Sequence, residues 1–202
     1  MIDADMLIAL AIGYLFGSVP FGLVLTRLGG KGDVRQIGSG NIGATNVLRT
    51  GSKGLAAATL VLDCLKATAA ILIARRLFGE DADPFAAAGA IVGHLYPVWL
   101  RFKGGKGVAT LLGVLIPILP MAAVAYAIIW IGLLLVVRIS SVAGIAAAVS
   151  APVSAALWGE RSLFPMLLGF ALLVVWKHRA NLVRLKAGTE PRIGRVSAPG
   201  PD

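Results

Sequence analysis

The residues from Gly38 to Arg49, Gly38-Ser39-Gly40-Asn41-Ile42-Gly43-Ala44-Thr45-Asn46-Val47-Leu48-Arg49, gather glycines, hydroxyls, amides and a guanidinium into one short stretch. Glycine lets successive backbone N–H groups turn onto a small anion, which is the use open to Gly38, Gly40, Gly43 and the neighbouring Ala44. Ser39, Asn41, Thr45 and Asn46 add side-chain donors, and Arg49 adds a planar fork that fits phosphate. A flexible connector is the competing reading of any glycine-rich loop. The density of amides and hydroxyls beside Arg49 favours anion binding.

A second polar segment runs from Gly93-His94-Leu95-Tyr96-Pro97 to Lys103-Gly104-Gly105-Lys106-Gly107-Val108-Ala109-Thr110. Lys103 and Lys106 flank two glycines just before a predicted helix start, where free N–H groups and the helix dipole favour a phosphate. It is not a Walker A loop, because Gly107 stands where Ser or Thr should follow Gly-Lys. An ordinary basic anchor at a membrane face accounts for this segment equally well when it is taken alone. His94, near the end of a predicted span, reads as a packing or hydrogen-bonding residue.

The third segment, Lys177-His178-Arg179-Ala180-Asn181-Leu182-Val183-Arg184-Leu185-Lys186-Ala187-Gly188-Thr189-Glu190, directly follows an apolar run. On a continuing helix His178, Asn181 and Leu182 share a face, as do Asn181, Arg184 and Leu185. A basic stop-transfer flank explains the lysines and arginines but not His178 and Asn181. Asn181 could also cap a helix, and Glu190 could lock the loop by pairing with a neighbouring arginine.

What is missing narrows the chemistry. The sequence has no Asp-rich cluster for magnesium, no Cys/His set for zinc and no Gly-x-Ser-x-Gly elbow, so neither a metal nor a cofactor is expected. The two histidines are the only side chains that ordinarily titrate near neutral pH. A covalent acyl-enzyme is not expected, and direct transfer from an already activated donor fits better.

The elements that must position these segments lie in a membrane. The 202 residues are 57% hydrophobic and 14% charged, with a mean hydropathy of +0.85. A soluble domain carries roughly a quarter charged residues, so the chain reads as an all-α integral membrane protein. The net charge of +9 sits in short loops and the C-terminal tail, as orientation by cytoplasmic Lys and Arg requires, and implies no nucleic acid partner. The acidic start, Met1-Ile2-Asp3-Ala4-Asp5, is unlike a secretory signal, so the first apolar run reads as retained. The single cysteine, Cys64, reads as a small packing residue.

Candidate spans are Met6–Thr26, Leu55–Ala74, Pro84–Leu100, Ile139–Leu157, Leu163–Trp176 and the uncharged run Gly107–Val137. Asp63 and Lys66 interrupt the second on one helical face, where they could pair and point inward. As one straight helix the run Gly107–Val137 is about 46 Å long, against a hydrocarbon core of about 30 Å. It is either one kinked helix or two arms turned at Pro117 and Pro120. The positive-inside tendency favours two, giving about seven transmembrane helices, the N-terminus outside, the C-terminus cytoplasmic, and all three polar segments on the cytoplasmic face. Residues 1–188 read as a single polytopic domain and residues 189–202 as a flexible tail. No internal repeat stands out.

Taken together, the three segments resemble the bacterial acyl-phosphate-dependent glycerol-3-phosphate acyltransferases. The resemblance rests on Gly38-Ser39-Gly40-Asn41-x-Gly43-Ala44-Thr45-Asn46-x-x-Arg49, on Gly93-His94-x-Tyr96-Pro97-Val98 with Phe102-Lys103-Gly104-Gly105-Lys106-Gly107-Val108-Ala109-Thr110, and on Lys177-His178-x-x-Asn181-x-x-Arg184-Leu185-x-x-Gly188-x-Glu190. It covers essentially the whole chain. It implies transfer of a fatty acyl group from acyl phosphate to the 1-hydroxyl of sn-glycerol 3-phosphate, giving 1-acylglycerol 3-phosphate and phosphate, at the cytoplasmic face of the bacterial inner membrane. The partners are then those two substrates, membrane lipid and the soluble enzyme that makes acyl phosphate. By the same resemblance Ser39, Arg49, Lys106, His178 and Asn181 carry catalysis. The second motif binds acyl phosphate, Ser141 is a further polar position near the site, and Glu190 supports structure. The rival readings are a small transporter of an anion or phospholipid precursor, and a non-catalytic scaffold with lipid-binding loops. Neither explains the Ser, Asn and Thr set together with His178-x-x-Asn181.

Overall fold

A computed structural model of the chain describes residues 3–194. Their regular structure is helical: α1 (Ala4–Gly17), α2 (Phe21–Leu28), α3 (Ala44–Leu48), α4 (Lys53–Phe78), α5 (Asp83–Leu95), α6 (Val108–Ile118), α7 (Pro120–Val137), α8 (Ser140–Leu157), α9 (Phe164–Lys177) and α10 (Arg179–Lys186). Four bodies are long and apolar enough to cross a membrane, namely Ala4–Leu28, Lys53–Phe78, Pro120–Val137 and Ser140–Leu157, and α9 with α10 makes a fifth if that bent pair is one span. The chain is a multi-pass integral membrane protein.

Lipid tails are as apolar as leucine, so helices in a bilayer associate through close backbone approach at small residues. The α1–α5 seam is built this way. Gly13 and Gly17 on α1 face Ala86 and Ala90, while Gly89 and Gly93 on α5 face Leu10 and Tyr14, and a methyl at any of the four would overlap the partner helix's backbone. Contacts ascend together along both helices, so α1 and α5 run parallel. This places α5 at the centre of the bundle, with Ala86, Ala87, Ala90, Ile91 and Leu95 fully buried.

Three breaks depart from the spans expected above. The first run is not one helix: α1 ends before Ser18, whose hydroxyl donates back to the Leu15 carbonyl at 2.8 Å, and Pro20 separates it from α2. The span expected to end at Leu100 stops at Leu95, because the residue before a proline, here Tyr96 ahead of Pro97, is forced out of helical geometry. Leu119, ahead of Pro120, is extended in the same way (φ −147°, ψ 76°). Beyond it the chain folds back, since the Tyr126 hydroxyl donates to the Val108 carbonyl at 2.8 Å. One straight helix would hold those two residues about 27 Å apart. Residues 107–137 are therefore two adjacent, antiparallel helices.

A further break sets the site. α9 and α10 meet at His178 with a bend of 57°, so the third segment does not continue one helix. Nor are residues 189–194 a free tail. The Thr189 N–H donates to the Arg184 carbonyl at 2.8 Å and the Ile193 N–H to the Arg138 carbonyl at 2.7 Å, which docks residues 189–194 beside the start of α8. The rest of the expected tail lies outside the described residues. At the opposite end of the bundle Arg75 pairs with Asp83 and donates to the Pro117 carbonyl at 2.7 Å, tying together α4, α5 and the turn between α6 and α7.

Candidate active site

The first loop is shaped from within by Asn46. This buried amide donates to the carbonyls of Val34 (2.8 Å), Ile37 (3.1 Å) and Asn41 (2.8 Å), and accepts the Ser39 N–H at 3.1 Å. Asn41 accepts the Gly43 N–H at 2.9 Å and reaches the Gly104 carbonyl at 3.5 Å, joining the first loop to the second. Both amides were expected to face a ligand; they are spent on the backbone. Gly43 caps the single turn α3, which holds Ala44 and Thr45 half-buried. Gly38 has φ +53°, and a side chain there would overlap Arg49 and Asn46. Gly38, Ser39, Gly40 and Arg49 are left exposed on the rim.

The second loop differs from its expectation in the same way. The Gly104 N–H donates to the Leu95 carbonyl at 3.2 Å and the Gly105 N–H to the His94 carbonyl at 2.9 Å, so neither is free for an anion. These glycines serve close approach instead: a methyl on Gly104 would overlap the His94 carbonyl, and one on Gly105 the His94 ring. Gly107 (φ +89°) then turns the chain into α6, whose first N–H groups have no helical partner. Lys103 is exposed, whereas Lys106 is half-buried and donates to Oδ1 of Asn181 at 2.6 Å. Burial pushes the Lys106 ammonium down to about 8, against the pull of Glu190 and with the help of Arg184, Arg49 and Lys177.

The bend at His178 aims the third segment at Lys106. Asn181, buried, donates from Nδ2 to Oε1 of Glu190 at 2.5 Å, and Ser141 donates to the same oxygen at 2.7 Å. Arg184 Nε donates to Oε2 at 2.7 Å. Burial works to raise the Glu190 carboxyl, but those three bonds outweigh it and hold the group low, hence ionised. Glu190 thus fixes the amide that Lys106 contacts, and Ser141 is a buried strut beneath it.

His178 is buried at the corner, and its Nδ1 lies 2.8 Å from the Val174 carbonyl. A carbonyl only accepts, so the ring proton sits on Nδ1 and the lone pair on Nε2. Burial first, and then the Lys106 charge, lower this imidazole to about 4, so it is neutral at physiological pH.

The structure therefore gathers Lys106, Asn181, Glu190, Ser141 and Arg184 in one hydrogen-bonded network with His178 at its edge, and brings Arg49 within electrostatic reach. Lys66 pairs with Asp63 inside the bundle at 2.7 Å, as the spacing suggested, but for Lys66 and Lys177 the sequence reading missed a further contact. Lys177 donates to the Leu95 carbonyl at 3.0 Å and lies 4.5 Å from the centre of the Tyr96 ring, clamping α9 to the end of α5. Lys66 lies 2.9 Å from Nδ1 of His94 underneath the second loop, a contact that no spacing signals. Among the described residues no group of three His, Cys, Asp or Glu side chains gathers in a way that could hold a metal ion. The charges acting on Lys106 are Arg49, Lys177 and Arg184 against the carboxylate of Glu190, a positive balance suited to anions.

Residues 7–188 match a family model described as glycerol-3-phosphate acyltransferase. Similar chains include glycerol-3-phosphate acyltransferases of Erythrobacter litoralis, 55% identical over 95% of this chain and 97% of the relative, and of Mesorhizobium japonicum, 54% identical over 94% and 96%. Among solved structures, that of the integral membrane glycerol 3-phosphate acyltransferase PlsY in its glycerol 3-phosphate form is similar, with a TM-score of 0.88, 39% identity and coverage of 95% of this chain and 96% of the other. Its lysophosphatidic acid form matches with a TM-score of 0.86 and 38% identity over 95% and 96%.

Proposed function

The chain belongs to the glycerol-3-phosphate acyltransferase family, and on that premise we propose that it moves a fatty acyl group from acyl phosphate to the 1-hydroxyl of sn-glycerol 3-phosphate. The hydroxyl oxygen attacks the acyl carbonyl carbon, the carbon–oxygen bond to phosphate breaks, and inorganic phosphate leaves with the bonding pair. The product is 1-acyl-sn-glycerol 3-phosphate.

The observation that carries this reading is the Lys106–Asn181–Glu190 network set beside a neutral imidazole whose Nε2 lone pair is free. Lys106 holds the phosphate of the donor at the second loop. Arg49 and Ser39, on the rim of the first loop, hold the phosphate of the acceptor. Fixed donors of this kind stabilise negative charge without reorganising during the reaction. His178 receives the hydrogen bond of the attacking hydroxyl and aims its oxygen, while Asn181 keeps Lys106 in place. Proton affinity decides where the proton finally goes. At about 4 the imidazole is a weaker base than a phosphate dianion, whose second pKa is about 6. The hydroxyl proton therefore ends on a substrate phosphate oxygen.

The same reading gives seven membrane crossings, with α1 and α2 together as the first and α4 to α9 as the rest. The N-terminus lies outside the bacterial inner membrane and the site faces the cytoplasm, where a soluble acyl-phosphate-making enzyme supplies the donor. The direct test is to incubate the purified protein with palmitoyl phosphate and glycerol 3-phosphate, without metal or coenzyme A, and follow both products. Phosphate and lysophosphatidic acid are expected to appear in equal amounts. Phosphate alone would mean hydrolysis, and would overturn the assignment of the acceptor site.

A further inference from the structure

Beneath the second loop lies a buried cluster that the reaction itself does not use. Asp63 and Lys66 on α4 and His94 on α5 are each at most 5% exposed. An ammonium has three N–H donors, and that of Lys66 meets three acceptors: the Val19 carbonyl at 2.8 Å, Oδ1 of Asp63 at 2.7 Å and Nδ1 of His94 at 2.9 Å. Accepting at Nδ1 leaves the ring proton on Nε2, at the far edge of the imidazole. That edge lies against the glycine-rich turn, because a methyl on Gly105 would overlap Nε2, Cε1 and Cδ2 of the ring. The Gly105 N–H also donates to the His94 carbonyl at 2.9 Å, so the turn rests on both the ring and the main chain of one residue.

The third acceptor leads to the other loop. Val19 belongs to the break between α1 and α2, and α2 carries Gly22, which packs so closely on the Ile42 carbonyl that no side chain fits between them. Ile42 is part of the first loop. A single ammonium thus touches the support of each phosphate-holding loop.

We propose that Lys66 and His94 are positioning residues that set the spacing between the first loop and the glycine-rich turn, and through Gly105 the placement of Lys106 on the donor phosphate. The proposal rests on the reading that the turn holds acyl phosphate. The side chains act through the backbone, so their loss weakens donor binding more than it slows turnover.

The test uses the full chain in detergent, with palmitoyl phosphate and glycerol 3-phosphate varied separately. Gly105→Ala is expected to raise the apparent KM for palmitoyl phosphate about tenfold, with kcat within about threefold of the parent. His94→Asn keeps an acceptor for Lys66 near the Nδ1 position and vacates the far edge of the ring. In the double variant the methyl has room, and the KM is expected to fall back by about fivefold from that of Gly105→Ala, a non-additive pair. Effects that simply multiply would overturn the proposal. If Gly105→Ala does not give monodisperse protein, the folded yield of the double variant decides in the same way: recovery supports the node and no recovery overturns it. Asp63→Asn with Lys66→Met removes the charge pair as a unit, and an unchanged donor KM there would overturn the part given to Lys66. A KM shift on glycerol 3-phosphate in place of the donor, with the coupling intact, would keep the node and overturn the assignment of donor to the turn.

Discussion

Lys106 gives up basicity to its surroundings, and the loss is measurable. Its hydrogen-bond partner is the neutral Asn181, and the nearest carboxylate, Glu190, is already shared among Asn181, Ser141 and Arg184. Burial therefore prevails and the ammonium titrates at about 8. Below that pH it is charged and above it the charge is lost, and with it the grip on phosphate that the proposed function assigns to this side chain. We expect kcat/KM for the acyl donor to fall about tenfold per unit above pH 8, since that ratio reports the free enzyme. Lys106→Arg, whose side chain stays charged throughout, should move the limb beyond about pH 10 even if its rate is lower overall. A shared alkaline limb in the two proteins, measured from pH 6 to 10, would remove Lys106 from phosphate binding. At this scale the sequence displayed the cations and His178 by residue type alone. It did not show that Asn41, Asn46, Gly104 and Gly105 bond the backbone, because an amide or N–H suits a ligand and a backbone carbonyl equally well. Which of the two is near depends on parts of the chain remote in sequence, such as Val34 for Asn46.

Apolar runs reveal helices in a membrane protein more readily than they reveal what holds the helices together. Every expected span has a helical body within it, and the prolines at 20, 97 and 120 mark real breaks. The bend at His178 has no such marker. It comes from tertiary contacts, as Glu190 draws Asn181 and Arg184 toward α8. The α1–α5 seam was hidden for another reason: Gly13-x-x-x-Gly17 and Gly89-x-x-x-Gly93 are meaningful only once the two helices are known to be neighbours. The seam gives a contrast between two glycines. Gly89→Ala forces a methyl into the α1 backbone, whereas Gly132 on α7 has nothing within 4 Å of its added methyl. Overpacking costs about 1–3 kcal/mol, and replacing a helical glycine in open space gains up to about 1 kcal/mol. Thermal unfolding in detergent should therefore show a lowered midpoint for Gly89→Ala and an equal or raised one for Gly132→Ala. Equal midpoints for both would mean that the seam does not limit stability.

Seen as a whole, the molecule keeps its chemistry at one end. The three polar segments, the start of α8 and residues 189–194 meet there, while Arg75, Glu80, Asp83, Pro117 and Glu160 line a shallow pocket at the other. Lys and Arg crowd the first end and Asp and Glu the second, which is how the arrangement could be foreseen from charge alone. Helix length adds a point that hydropathy could not. As helices α5, α6 and α9 are about 20, 16 and 21 Å long, all shorter than a hydrocarbon core of about 30 Å. Short helices bring the polar loops at their ends closer to the apolar layer, which suits the proposed donor, whose acyl chain lies in lipid while its phosphate meets Lys106. Sidedness is the remaining requirement, since glycerol 3-phosphate must reach the same end from water. The native thiol of Cys64 is buried, so a Cys64→Ala background allows single probes at Glu80→Cys and Lys186→Cys. A membrane-impermeant maleimide should label Glu80→Cys in intact spheroplasts and Lys186→Cys only in inverted vesicles. Labelling of both from one side would break the alternating bundle. Labelling with the sides exchanged would keep the bundle but turn the site away from the cytoplasm, and from the soluble substrate it needs.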